Sequence, residues 1–213
     1  MRELAKFDTT TLALARALLD IRNADLGDIK TKFDGVLSGS QLDTNLLLTE
    51  TEVERFELAL SLAPQSLAMH LAFDFANHSF QNTPWPENDS FSLRSRERTK
   101  HYLEIIERYI SGTQTASDAD ALVPFTLSDR TLRPSIFRNP GIGLLAETVL
   151  KPEDAPYLAI KIAKQAREYF SRCILGIVLG DNDTPETKRL KEEELHWQIS
   201  HFRQQLTDSS GQA

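Results

Sequence analysis

Residues 156–206 read PYLAIKIAKQAREYFSRCILGIVLGDNDTPETKRLKEEELHWQISHFRQQL, and this stretch decides the fold class. Leu158, Ile162, Ala166, Tyr169, Phe170, Cys173, Ile174 and Ile177 recur at steps of three and four, the period of an amphipathic helix. Pro156 suits the first helical turn, and Glu153 with Asp154 places negative charge at the positive end of the helix dipole. The closing CILGIVLG, 173–180, is apolar on all sides and calls for burial. Gly180-Asp181-Asn182-Asp183 then breaks the helix. Thr184 is placed to cap a second helix, with Pro185 and Glu186 in its first turn and Leu195, Ile199, Phe202 and Leu206 as its stripe. The sum is a long C-terminal helical hairpin that needs other helices, or another chain, to cover it. The expected fold is all-α, or nearly so: a helical bundle ending in that hairpin.

The same period continues upstream. Thr9–Arg22 reads as a first helix through Leu12, Ala15, Leu18 and Leu19. Asp25–Leu48, punctuated by Gly27, Gly35 and Gly39, reads as one or two short helices and turns. Glu50–Leu62 resumes a helix with Val53, Phe56 and Leu60 on one side, and Pro64 restarts the chain into another. In 66–75, Leu67, Met69, Leu71, Phe73 and Phe75 alternate as a strand would. The intervening Ala68, Ala72 and Ala76 favour a buried helix, which is the expectation here. Gln81–Asp89, QNTPWPEND, reads as a linker, followed by an amphipathic helix over Ser92–Ser111 with Tyr102, Leu103, Ile106, Tyr109 and Ile110 as its apolar side. Ser111–Asp120 reads as a polar, mobile loop, and Leu122–Gly143 as irregular chain with a short strand at Leu122–Thr126. The organisation expected is an acidic helical cluster over 1–81, a Pro-rich linker over 82–90 and a helical bundle over 91–213, which can pack as one domain.

Charge sharpens the division. The 213 residues carry a net charge of −7, yet Met1–Ser90 holds 7 Lys and Arg against 14 Asp and Glu, while Phe91–Ala213 holds 17 of each. The acidity therefore belongs to the first part. The second part carries two basic clusters, one of Arg94, Arg96, Arg98 and Lys100 and one of Arg130, Arg133 and Arg138. A uniformly basic coat for nucleic acid is excluded, whereas a local contact is not. One cysteine, Cys173, excludes an internal disulfide and a thiolate-rich zinc site, and its place among isoleucines points to core packing. The opening MRELAKFD has no apolar signal core, and 173–179 is too short for a membrane span, so a cytoplasmic, membrane-free protein is expected.

Chemistry-bearing spacings are few. His70, Asp74 and His78 fall at i, i+4 and i+8, a weak alternative for a metal site that lacks a fourth ligand in local spacing. His196 and His201, five apart, miss that geometry and read as surface residues of the last helix. Gly141-Ile142-Gly143 matches only the loosest dinucleotide fingerprint, and RPSIFRNP before it cannot be the strand that motif requires. Asp25–Leu48 has helix-turn-helix spacing, but SGSQLDTNLLL offers no cation to a phosphate. Asp181-Asn182-Asp183 lacks the glycine and closing glutamate of a calcium loop. Phosphate-loop, HExxH and GxSxG motifs do not occur.

Arg96 and His101 have the Arg-x4-His spacing of HEPN ribonucleases, a helical family, and resemble that family's motif in those two residues. The resemblance implies a metal-independent ribonuclease in which Arg96 and His101 act on the RNA phosphate and 2′-hydroxyl, assembled by dimerisation. Glu97 stands where that family usually carries a small polar residue. Without an assembled catalytic set, the leading expectation is a non-enzymatic interaction or accessory subunit that self-associates or joins a protein partner, needing no cofactor. The alternatives are that ribonuclease and a nucleic-acid-binding subunit using the two basic clusters.

Overall fold

The structure, a computed structural model, describes residues 9–20, 29, 31–33, 51–82, 90–118, 120–122, 142–175 and 184–210. Its elements are α1 (Thr9–Asp20), α2 (Glu52–Ser61), α3 (Gln65–Gln81), α4 (Ser90–Ser111), α5 (Ile142–Leu150), a 3₁₀ turn (Pro152–Asp154), α6 (Ala155–Leu175) and α7 (Pro185–Ser210). Among the described residues there is no strand, and the fold is an all-α bundle. No described helix is long and apolar enough to cross a membrane.

The chain forms two compact units, one of Met1–Pro64 with Ile199–Ala213, the other of Gln65–Gln198. The division runs through α7 and does not use the 82–90 stretch, of which 83–89 lie outside the described residues. The candidate helix-turn-helix, the strand expected at Leu122–Thr126 and Arg130, Arg133 and Arg138 also fall almost wholly outside them.

In the first unit, α1 presents Leu14, Ala15, Leu18 and Leu19 to Phe56, Ala59 and Leu60 of α2 and to Phe202 and Leu206 of α7, all buried. Phe202 meets Phe56 edge-on at 6.5 Å between ring centroids. The Arg203 guanidinium donates to the Leu19 carbonyl and pairs with Asp20 at 2.8 Å, placing a cation at the negative end of α1. Arg16 reciprocates by donating to the Leu206 carbonyl of α7 at 2.9 Å. Thr51 caps α2, accepting from the Glu54 N–H while its hydroxyl donates to the Glu54 carboxylate at 2.6 Å. Of the side expected to be apolar, Phe56 and Leu60 are buried but Val53 is exposed. It sits in a first turn whose other residues, Thr51, Glu52 and Glu54, are exposed as well.

In the second unit, α3 lies against α6, with α4 and α5 also packed on it. The strand-like alternation of 66–75 is helical, and its real burial pattern is a pair of columns, Leu67, Leu71 and Phe75 beside Ala68, Ala72 and Ala76. Four-residue steps return to nearly the same side of a helix, and the alanine column lets a neighbouring backbone approach. Across the hairpin, position 198 meets 163 and 167 while 191 meets 168, so α6 and the first half of α7 run antiparallel. Thr184 caps α7 through the Thr187 N–H at 3.2 Å, with Pro185 as the first helical residue.

Gly112 ends α4. Its φ of +73° closes a Schellman turn in which Thr113 N–H donates to the Arg108 carbonyl and Gly112 N–H to that of Tyr109. The segment that follows, expected to be mobile, is anchored. Asp118 is buried and takes a two-pronged hydrogen bond from Arg108 at 2.6 and 3.1 Å, and a third from the Thr115 N–H at 2.8 Å. Chiefly through the Arg108 bond, its carboxyl is held well below the usual carboxylate range.

Candidate functional site

Two arrangements in the second unit carry chemistry, one buried and one exposed. The buried one joins α3, α6 and α7. Glu194 has no exposed side-chain surface, and its Oε2 lies 3.0 Å from His78 Nδ1 on α3. Its Oε1 accepts from Gln198 Nε2 at 3.1 Å, one turn further along α7. Gln198, also fully buried, donates to the Ala163 carbonyl at 3.1 Å and accepts from Arg167 Nη1 at 3.0 Å. The series Arg167–Gln198–Glu194–His78 thus places a guanidinium and a carboxyl group in the interior with an amide between them. Trp197 covers the outer end, its indole stacked on the His78 ring at 3.5 Å and 9° and meeting Phe75 edge-on at 6.2 Å. Only His78, 24% exposed, brings this network toward the surface.

Such a network is costly to bury and is retained when its members satisfy one another. Here the hydrogen bonds of Gln198 to Ala163, Arg167 and Glu194 tie α6 to α7, whereas Glu194 Oε2 and His78 Nδ1 of α3 lie within ion-pair distance without hydrogen-bond geometry. The sequence signal was present but discontinuous: Glu194 and Gln198 are spaced i, i+4 on the apolar side of α7, next to Leu195 and Ile199. A polar pair on a buried side implies partners, but which partners depends on tertiary packing.

Of the candidate metal residues, His78 faces Glu194, whereas His70 is exposed with Nδ1 2.7 Å from its own helix's Ser66 carbonyl. Among the described residues no three His, Cys, Asp or Glu side chains gather in a way that would hold a metal ion. His196 is exposed and His201 half-buried on α7.

The exposed arrangement is the first half of α4. Leu93, Arg94, Arg96, Glu97, Arg98, Lys100 and His101 are all exposed and Thr99 is half-buried, so the described side chains from 93 to 101 find no buried side. Burial begins with Leu103, Ile105 and Ile106. Lys100 is 4.0 Å from Glu104, and the His101 ring is tilted against Tyr102 at 5.8 Å. Arg96 and His101, five residues apart on a regular helix, project about 140° from each other, so one copy does not aim both at a single phosphate.

No protein-family model, curated protein or solved structure matches the chain. A third feature that the sequence reading passed over is Tyr157 on α6, 59% exposed, with Lys161 Nζ 4.2 Å from its ring centroid.

Proposed function

We propose that the chain is a non-enzymatic helical accessory subunit that works through protein–protein assembly. The observation that carries this reading is the first half of α4, a basic helical segment whose described side chains from 93 to 101 are exposed except for the half-buried Thr99. A helix is normally held by burying one side, and an isolated segment of this length is marginal in water. This one continues a helix anchored further on by Leu103, Ile105 and Ile106 and presents Leu93, 41% exposed, among arginines. An exposed leucine followed by Arg94 and Arg96 has the composition of a contact surface: Arg is enriched at interfaces, and an apolar residue supplies burial.

The buried network supports the same reading from inside. Its hydrogen bonds join α6 to α7 and its Glu194–His78 contact reaches α3, so it serves the scaffold, and recognition falls to exposed side chains. The test is affinity purification of the tagged full chain from its native source, beside an Arg94→Glu/Arg96→Glu/Arg98→Glu variant. A stoichiometric protein complex, or self-association, that is lost in the variant is the expected result. Metal-independent RNA cleavage abolished by His101→Ala would replace the assembly reading with a ribonuclease.

A further inference from the structure

We infer that the occupant of the exposed α4 segment is the acidic N-terminal part of a second copy of this chain, an identification that rests on the assembly reading above. Charge complementarity within one sequence selects it. Residues 93–101 display Arg94, Arg96, Arg98 and Lys100 against a single Glu97, all exposed. The matching surplus of acid lies in the same chain, where residues 1–90 carry a net −7. Part of that acid is on display in the first turn of α2, where Glu52 and Glu54 are exposed and flank Val53, 36% exposed. Each surface therefore carries an exposed apolar residue beside charged ones, Leu93 before Arg94 and Val53 between Glu52 and Glu54, and the prevailing signs are opposite.

Nucleic acid is the poorer occupant. Phosphate neutralisation would have to be supplied by two local basic clusters of a molecule whose net charge of −7 repels polyanions at longer range. A second copy turns that acidity from an obstacle into the attraction. The contact joins unlike surfaces, so it either closes reciprocally between two copies or continues head to tail. Two helical turns bury much less than the ~1,600 Å² of a standard stable interface, so the association belongs to the weak, transient class and depends on concentration and salt.

The experiment is sedimentation velocity of the full chain from 10 to 300 micromolar (about the range where contacts of this class populate), at low and at high salt. Wild type should shift to larger species with concentration at low salt and lose most of that shift at high salt. Arg94→Glu/Arg96→Glu/Arg98→Glu and, separately, Glu52→Arg/Glu54→Gln should each remain monomeric. Glutamine at 54 preserves the capping contact with Thr51, and circular dichroism checks that both variants fold. Mixing the two variants should restore association, because the reversed α4 of one then matches the reversed α2 of the other. Wild-type association that survives both sets of changes overturns the inference but leaves the assembly reading standing on another surface. A monomer throughout that captures a foreign protein through α4 overturns the inference alone. A monomer that binds single-stranded RNA in a salt-sensitive manner, lost on α4 reversal, overturns both.

Discussion

Helix α7 is one continuous element with two kinds of buried side. Its first half, in the second unit, buries Glu194 and Gln198 beside Leu190 and Leu195, and its second half, in the first unit, buries Ile199, Phe202 and Leu206. The apolar half is held by area and shape, which many sequences can supply. The polar half is held by directional bonds of Gln198 to Ala163, Arg167 and Glu194, with Glu194 in turn 3.0 Å from His78. Apolar packing tolerates small shifts of one helix along another, whereas hydrogen bonds of 3.0–3.1 Å do not. The difference assigns stability mainly to one half of the helix and register mainly to the other.

Replacing Phe202 with Ala should give the largest effect, a loss of about 3–5 kcal/mol, because the residue is fully buried and meets Phe56 edge-on. Hydrogen exchange should quicken first in α1 and α2. Glu194→Ala should cost about 1–3 kcal/mol by removing the acceptor for one Gln198 N–H and the carboxyl that faces His78, with exchange quickening first in α3 and α6. Identical exchange patterns from the two variants would break the contrast between the halves. Glu194→Gln, which keeps an acceptor for Gln198, should fall between Glu194→Ala and wild type.

Thr184→Ala should lower stability by about 1 kcal/mol, since it removes the side-chain acceptor for the Thr187 N–H at the start of α7. Thermal denaturation would register this as a fall of about 2–4 °C in Tm for a chain of this size. Asp118→Asn should have the smallest effect, because Arg108 is 38% exposed and solvent screens the pair. Its signature is pH dependence. The Arg108 hydrogen bond lowers the carboxyl's pKa in the folded state. The stability it contributes is therefore complete above the ordinary carboxylate value near 4 and is lost as pH falls toward the folded value. Wild type and the Asp118→Asn variant should differ most in Tm at neutral pH and converge in acid.

Much of the fold was legible because it follows from periodicity. The α7 stripe, the Leu158, Ile162, Ala166 and Tyr169 part of the α6 stripe, the Thr184 cap and the helical nature of 66–75 all follow from local spacing and propensity, while Ile177 lies outside the described residues. The buried network was not legible, because its members come from three helices and only the Glu194–Gln198 pair is local. Anchoring of residues 111–118 was missed for a related reason. The segment's composition is that of a loop, and what holds it is Arg108, ten residues back on α4. Of the contact surface, the basic cluster on α4 was visible as sequence. That its described residues are exposed apart from the half-buried Thr99 depends on tertiary packing, in which burial begins at Leu103.

The central claim is that α4's first half serves contact while the network of α3, α6 and α7 serves the fold. The most direct measurement compares Tm and sedimentation for wild type, the triple reversal at Arg94, Arg96 and Arg98, and Glu194→Ala. The expected result is a clean separation: the triple reversal abolishes assembly at a Tm close to wild type, and Glu194→Ala lowers Tm while the remaining folded protein still assembles. A triple reversal that assembles normally, or that loses assembly only because it unfolds, would contradict the claim.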